Sequence, residues 1–243
     1  MKKVVYKKIY ENELSHAWYI GTRSQLLKSL NKFLNKKAKI LDAGCGTGGT
    51  IKFLKSNGYT EIYGIDNSQE SIKFCKINKL THIKNGSVNK LPYKNNYFDA
   101  VVCMDVLYHE GVYPNVALKE FYRILKRKGI SYLQEPAYNF LRSNHDIAIE
   151  TARRFTKKDI KYLITSKKFI IDKLTYFNTL FFLPIALQRI LDGKVVKTNE
   201  QSDVYTLAPV LNFLLRNALF VEFHLLNFVN FPFGLSVIAI AHK

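Results

Sequence analysis

The stretch Ile40-Leu41-Asp42-Ala43-Gly44-Cys45-Gly46-Thr47-Gly48-Gly49 decides the fold. Ile40–Asp42 reads as a short apolar strand that runs directly into a glycine cluster, and Thr50–Asn57 behind it reads as a helix ended by Gly58. A chain that turns abruptly from strand to helix needs residues without a Cβ, so that the backbone can fold tightly and approach a ligand. The free amides at the new helix start then face that ligand. Asp66 follows at the end of the next strand, eighteen positions past Gly48. A carboxylate there can accept both hydroxyls of a ribose, although an Asp at a strand end also caps helices.

Working outward, the same alternation continues. Glu61–Asp66, Thr81–Gly86, Tyr97–Met104 and Ile130–Gln134 read as strands, and Ser68–Lys79 (with Ser68 as N-cap) and Asn115–Arg127 as the helices between them. Strands separated by helices of about a dozen residues pair in parallel through crossover units. On the N-terminal side, residues 1–37 carry charge, scattered aromatics and a helical stretch near Gln25–Leu34. Past Glu135-Pro136 the rhythm changes. Thr156 caps a helix over Lys157–Ser166, and Phe169–Phe177 and Leu235–Ala241 read as a closing antiparallel pair. Between those two strands lie the apolar helices Leu180–Leu191 and Ala208–Leu226, joined by a polar linker, Lys194–Asp203. The expectation is a single α/β domain over 1–243: an N-terminal cap (1–37), a core (38–136) and a helical insertion (179–230) before the last strand.

Neither apolar helix reads as a membrane span. The first is too short and contains Pro184 and Arg189; the second is interrupted by Arg216, Glu222 and His224. Spans need roughly 20 mostly apolar residues, and charges within them are costly. A cap packed over the sheet, an amphipathic lid and a surface that touches lipid all stay open.

Gly44, Gly46 and Gly49 also satisfy G-x-G-x-x-G, the dinucleotide fingerprint. Asp42 argues against it, because a pyrophosphate would be repelled two positions before the first glycine, whereas a cationic head group would be welcome there. The antiparallel ending and the lack of chain for a separate substrate domain point the same way.

The composition sets outer bounds. The chain has 243 residues, 47% hydrophobic and 23% charged, which excludes a disordered tail protein. Cys45, Cys75 and Cys103 form no C-x-x-C pair, which excludes a disulfide scaffold and an ordinary structural zinc site. No apolar run follows the basic N-terminus, so the expectation is a reduced, cytoplasmic enzyme without a signal peptide. The net charge of +18 is carried by 29 Lys and 8 Arg beside 19 Asn, a bias that fits a solvated surface as well as an anionic substrate, nucleic acid or an acidic membrane face.

The ordered set LDAGCGTGG (41–49), YGIDNS (63–68), LPYKNNYFDAVVCMDVLYH (91–109) and FYRILKRKG (121–129) resembles the class I S-adenosylmethionine-dependent methyltransferases. HAWYIGTRSQLL (16–27), the segment 135–160 and the closing PFGLSVIAIAHK (232–243) are similar to a bacterial subgroup of the methyltransferase-11 type. The resemblance implies a Rossmann-like sheet of seven mostly parallel strands, the last inserted antiparallel, flanked by helices. It implies that Gly44, Gly46 and Gly48 cradle the methionine part of S-adenosyl-L-methionine, with Asp42 near its amino group. Asp66 would take the ribose, and Asn67 the adenine edge. Ser87 stands where relatives commonly carry an Asp for the adenine amino group; Val88 and Met104 complete the set. Arg23 is the candidate partner for the cofactor carboxylate, since a guanidinium matches it in two-point geometry. Trp18 stacks nearby or belongs to the core.

For methyl transfer the protein has to align a nucleophile with an activated methyl group. A hydroxyl acceptor also needs a base. His109, after the fourth strand, is the first candidate for a base or orienting group, and the pair His145-Asp146 the second; Asp105 and Tyr108 are further ones. The subgroup has another His where this chain has Thr151. Arg153-Arg154 would grip an anionic acceptor or serve the structure. The acceptor expected is a small molecule or a glycan- or lipid-linked compound. Nucleic-acid methylation is the runner-up on charge, but Cys103-Met104-Asp105-Val106 replaces the proline motifs of base methylation. A non-catalytic cofactor-binding protein is the alternative from another class.

Overall fold

A computed structural model describes residues 3–191, 208–226 and 228–243. Two helices, α1 (Lys3–Asn12) and α2 (Ala17–Leu30), precede a βα alternation: β1 (Ile40–Ala43), α3 (Gly49–Ser56), β2 (Ile62–Asp66), α4 (Gln69–Ile77), β3 (Ile83–Asn85), β4 (Phe98–Met104), α5 (Pro114–Ile124) and β5 (Leu125–Pro136). Then come a short 3₁₀ turn (Asn139–Leu141), α6 (Asn144–Ala148), α7 (Lys157–Thr165), β6 (Ile170–Phe177), α8 (Phe182–Leu191), α9 (Pro209–Leu225) and β7 (Ser236–His242). The seven strands lie in the order β3-β2-β1-β4-β5-β7-β6. β1 is parallel to β2 and to β4, and β7 is antiparallel to both β5 and β6, so the expected insertion of the last strand is present. The chain order reverses between β1 and β4. The crevice at the carboxyl ends of these two strands is where a parallel sheet offers a binding site.

Alternation along the strands divides the core in two. Leu41, Ala43, Val101 and Cys103 face a layer that includes α5 and α7; Ile40, Ala100 and Val102 face α2, α3 and α9. Strand side chains point alternately to opposite faces, so both faces of β1 and β4 are largely buried and their sequences read as apolar runs broken only by Asp42 and Asp99.

Two boundaries depart from expectation. α2 begins at Ala17, with the His16 ring accepting the Trp18 amide, rather than near Gln25. Gly21 lies inside it because a Cβ there would stand 2.7 Å from Leu219 Cδ1 of α9, so this glycine serves helix–helix approach. α5 stops at Ile124, short of the expected Arg127, because Leu125 is fully buried and pairs with Phe98; Ile130 then pairs with Ala100 across an irregularity. Strand pairing overrides the helical propensity of Leu125–Arg127. The two apolar helices form at Phe182–Leu191 and Pro209–Leu225. The expected linker Lys194–Asp203 lies outside the described residues. No helix among the described residues is long and apolar enough to cross a membrane.

Candidate functional site

The glycine loop leaves β1 with Gly44, Gly46 and Gly48 all at positive φ (90°, 52° and 88°). Two of them show why. A Cβ on Gly44 would fall 2.3 Å from Val106 Cγ2, in the loop after β4, whereas a Cβ on Gly46 would meet nothing within 4 Å. One glycine therefore lets the β1 and β4 loops touch, and the other leaves open space against the backbone where a ligand can approach. Asp66, at the end of β2, accepts the Gly46 amide on Oδ2 (2.9 Å) and the Ser68 amide on Oδ1 (2.9 Å). Burial raises its carboxyl above the usual range, and these hydrogen bonds oppose the rise. Each oxygen keeps a further lone pair for a hydroxyl.

Asp42, at the heart of β1, is 3% exposed, and its Oδ2 has no hydrogen-bond partner. Burial pushes its carboxyl up to about 7; Arg23 pulls the other way, and the charges of Asp66 and Glu13 add to the rise. A buried carboxylate oxygen left unpaired is costly, and a cation offering N–H groups removes that cost. The residues present therefore fit a ligand that combines an ammonium group with a ribose.

Other predicted contacts are placed differently. Arg23 donates to Glu13 Oε2 at 2.7 Å, with both side chains almost fully buried, so the guanidinium offered to a ligand carboxylate is engaged by an acid of the N-terminal cap. The pair packs against Gly49, where a Cβ would collide with both partners. Ser87 accepts the Asn89 amide in its own loop (3.1 Å), Val88 is buried beside it, and Asn67 is exposed beyond β2. Met104 and Trp18 are half-buried, at the end of β4 and in the first turn of α2.

At the carboxyl ends of β4 and β5 the structure assembles a second group. Asp105 takes a positive φ (57°) directly after β4, and burial pushes its carboxyl up to about 7 against the opposing Gln134 hydrogen bond and Arg154 charge. His109 forms an isolated antiparallel bridge with Thr151, so their side chains share a face. Burial lowers the His109 imidazole to about 4, which leaves it neutral at physiological pH. The Thr151 hydroxyl beside it is buried without a hydrogen-bond partner.

In the expected pair His145-Asp146, the carboxylate is committed to Arg154 and Ser143. Asp146 takes Arg154 Nε on Oδ1 (2.8 Å) and Arg154 Nη2 on Oδ2 (2.9 Å), and it closes the α6 capping box with Ser143. Asp146 is therefore spent on holding α6 and the segment 151–155 together. Arg153 donates to the carbonyls of Leu107 (3.3 Å) and Val112 (2.8 Å), so both arginines serve the structure rather than an anionic acceptor. Cys103 lies fully buried in β4 with its thiol pushed well up by burial, which removes it as a nucleophile.

Two residues that sequence reasoning passed over belong to the site. Glu135 is fully buried at the end of β5, and its Oε1 accepts the Val106 (3.3 Å) and Leu107 (2.9 Å) amides, which fixes the loop carrying Asp105 and His109. The Tyr19 ring lies 5.5 Å from the Arg23 guanidinium, and burial raises its hydroxyl above the usual range. Its signal in the sequence is the i,i+4 spacing to Arg23 on α2.

A sequence model described as a methyltransferase domain matches residues 41–133, the segment that carries the glycine loop, Asp42, Asp66, Asp105 and His109. An uncharacterised protein of Methanocaldococcus jannaschii is 34% identical over 158 residues, covering 64% of this chain and 64% of that protein. A sterol 24-C-methyltransferase of Candida albicans is 31% identical over 109 residues, covering 40% of this chain and 27% of that enzyme. The chain thus spans less than two thirds of the curated relatives it matches here. A crystal structure of an S-adenosylmethionine-dependent methyltransferase from Archaeoglobus fulgidus superposes with a TM-score of 0.57 at 19% identity, covering 91% of this chain and 94% of that one, a likeness of fold.

Proposed function

We propose that this chain, whose residues 41–133 match a methyltransferase-domain model, transfers a methyl group from S-adenosyl-L-methionine to a small-molecule or lipid- or glycan-linked acceptor. When bound, the cofactor supplies an activated sulfonium methyl group. The chain's own residues then have to bind, orient and, for a hydroxyl acceptor, take a proton. The Gly44–Gly48 loop and Asp42 would hold the methionine portion, Asp66 the ribose hydroxyls, and Asn67, Ser87, Val88 and Met104 the adenine side. The observation that carries this reading is the Asp42 carboxylate, buried with one oxygen unpartnered beside the glycine loop.

Asp105 is the residue we assign to accept a proton, because a carboxyl titrating near 7 is matched to neutral pH. His109 and Thr151, bridged to each other beside the end of β4, are assigned to orient the acceptor. The helices of 179–230 would cover an acceptor with apolar character, which agrees with the sterol methyltransferase among the relatives.

Calorimetric titration with S-adenosylmethionine tests the reading. Asp42→Asn keeps the shape and breaks no hydrogen bond at Oδ2, so a loss of about 10–100-fold in affinity is expected from removing one charge-assisted contact. Wild-type affinity in this variant would overturn the assignment. Asp66→Ala should abolish binding, since it removes both the ribose acceptor and the anchor of the Gly46 amide.

A further inference from the structure

Nine of the twenty-four exposed large apolar side chains among the described residues lie between Val210 and Val229. On α9 they follow helical spacing. Val210, Leu214, Val221 and Leu225 form one outward stripe that Phe228 continues past the helix end, while Leu219, Glu222 and Phe223 turn inward, where α9 packs on α2. Phe213 and Phe220 widen the stripe, and the Arg216 guanidinium rides 5.8 Å from the Phe213 ring. The acid of this helix, Glu222, is buried and accepts the Thr179 amide at 3.0 Å, so the outward face carries no carboxylate.

The carboxyl end of α9 opens into a cleft lined by Phe228 and Val229 together with Lys28, Lys32 and Lys173. Lys28 donates to the Phe223 carbonyl (3.2 Å) and Lys173 to that of Leu226, which places two ammonium groups at the negative end of the helix dipole. Burial and then the Lys32 charge lower Lys28, and burial, Lys32 and Lys28 lower Lys173. Asp172, which also lines the cleft, is engaged by His242 Nδ1 at 2.9 Å. An apolar stripe without acids that ends in clustered lysines is complementary to one kind of surface.

We propose that α9 docks this protein on an anionic lipid surface, with the stripe from Val210 to Phe228 in the headgroup layer and Lys28, Lys32 and Lys173 against lipid phosphates. Interfacial helices combine these two features, and aliphatic lysine stems reach past apolar neighbours to place charge at the headgroups. A second copy of the chain is disfavoured as the occupant because it would bring the same lysines and another net charge of +18.

The test is flotation of the full chain with vesicles of phosphatidylcholine alone and of phosphatidylcholine with a third phosphatidylglycerol. Three lysines near an anionic surface should favour the second by on the order of 100-fold, and added salt should remove most of that preference. Lys28→Gln/Lys32→Gln/Lys173→Gln should abolish it. Because two of these lysines also serve the α9 carbonyls, Lys32→Glu alone, at an exposed position, is the second variant and should weaken binding several-fold. Phe228→Ser with Val221→Ser should weaken binding to both vesicles. Equal partition onto both vesicles, salt-independent binding, or unchanged binding of the folded lysine variants would overturn the proposal. So would concentration-dependent dimers without lipid binding. S-adenosylmethionine affinity measured on the same preparations separates failure here from failure of the methyl-transfer reading.

Discussion

The carboxyl edge of the sheet has two halves built in different ways. At β1 and β2 the geometry comes from within a short stretch: three positive-φ glycines, Asp42 on the strand itself, and one partner, Asp66, bound to the Gly46 amide. At β4 and β5 it comes from segments far apart in the chain. Glu135 holds the Val106 and Leu107 amides, Thr151 bridges to His109, and Arg154 reaches back to Asp146. On the proposed reading the first half meets a ligand of constant shape, and backbone amides in a fixed turn suit that with few side chains. The second half is held by side-chain contacts between loops, so its residues can change without disturbing the turn. Burial raises one carboxylate to about 7 in each half, Asp42 in the first and Asp105 in the second, and these two residues give the means to test the halves separately.

The largest separation should come from Asp105→Asn. If Asp105 takes the acceptor's proton, turnover falls by about 10²–10⁴-fold while S-adenosylmethionine affinity, set in the other half, stays at the wild-type value. Steady-state kinetics beside calorimetry read both quantities. Unchanged turnover would remove Asp105 as the base and point to an acceptor that needs none, such as a carboxylate or a neutral amine.

Next in size is the buried pair Arg154–Asp146, whose side chains are 8% and 3% exposed. Arg154→Met leaves a buried carboxylate unpaired and should cost about 3–5 kcal/mol of unfolding free energy, measured in urea. Burial alone would raise the Asp146 carboxyl, but the Arg154 hydrogen bonds and charge hold it below its ordinary 3.8. A depressed carboxyl stabilises the fold above its unfolded pKa, and that contribution fades as pH falls through the folded one. The deficit of the variant should therefore be full at neutral pH and shrink below pH 3.8. A deficit independent of pH would assign it to lost packing instead.

This contrast also explains what could be read from the amino-acid string. β1, β4, the Ser68 and Thr156 caps and the antiparallel ending were legible because each depends on neighbours in sequence: an apolar run, an N-cap hydroxyl, a glycine where the chain turns. The same holds for the positions of Asp42 on β1 and Asp66 at the end of β2. The start of α2 was not legible, because Gly21 reads as a helix weakener until Leu219, almost two hundred positions later, is seen packed on it. Nor was the end of α5, where pairing of Leu125 with Phe98 overrides a helical segment. Beside β4 and β5, adjacency in sequence does not fix the pairing. His145 and Asp146 are neighbours in sequence, yet the carboxylate pairs with Arg154, and Glu135 gained its role only when β5 was placed beside β4.

The smallest effect is the most discriminating, because it moves two observables in opposite directions. Asp42 must be ionised to hold an ammonium group, and burial sets its carboxyl at about 7. Cofactor affinity should then rise about tenfold between one pH unit below that value and one above it, and level off. Stability of the ligand-free chain should run the other way. A carboxyl raised above its unfolded pKa of 3.8 contributes stability that is complete below 3.8 and is lost as pH climbs through 7. Asp105 carries the same shift and adds the same slope to stability, but it does not touch affinity. In Asp42→Asn the affinity slope should disappear while the stability slope is reduced but persists, because Asp105, Asp66, Glu135 and Glu222 are raised in the same direction. Were the affinity slope to survive in Asp42→Asn and vanish in Asp105→Asn, the assignment of the two halves would have to be exchanged.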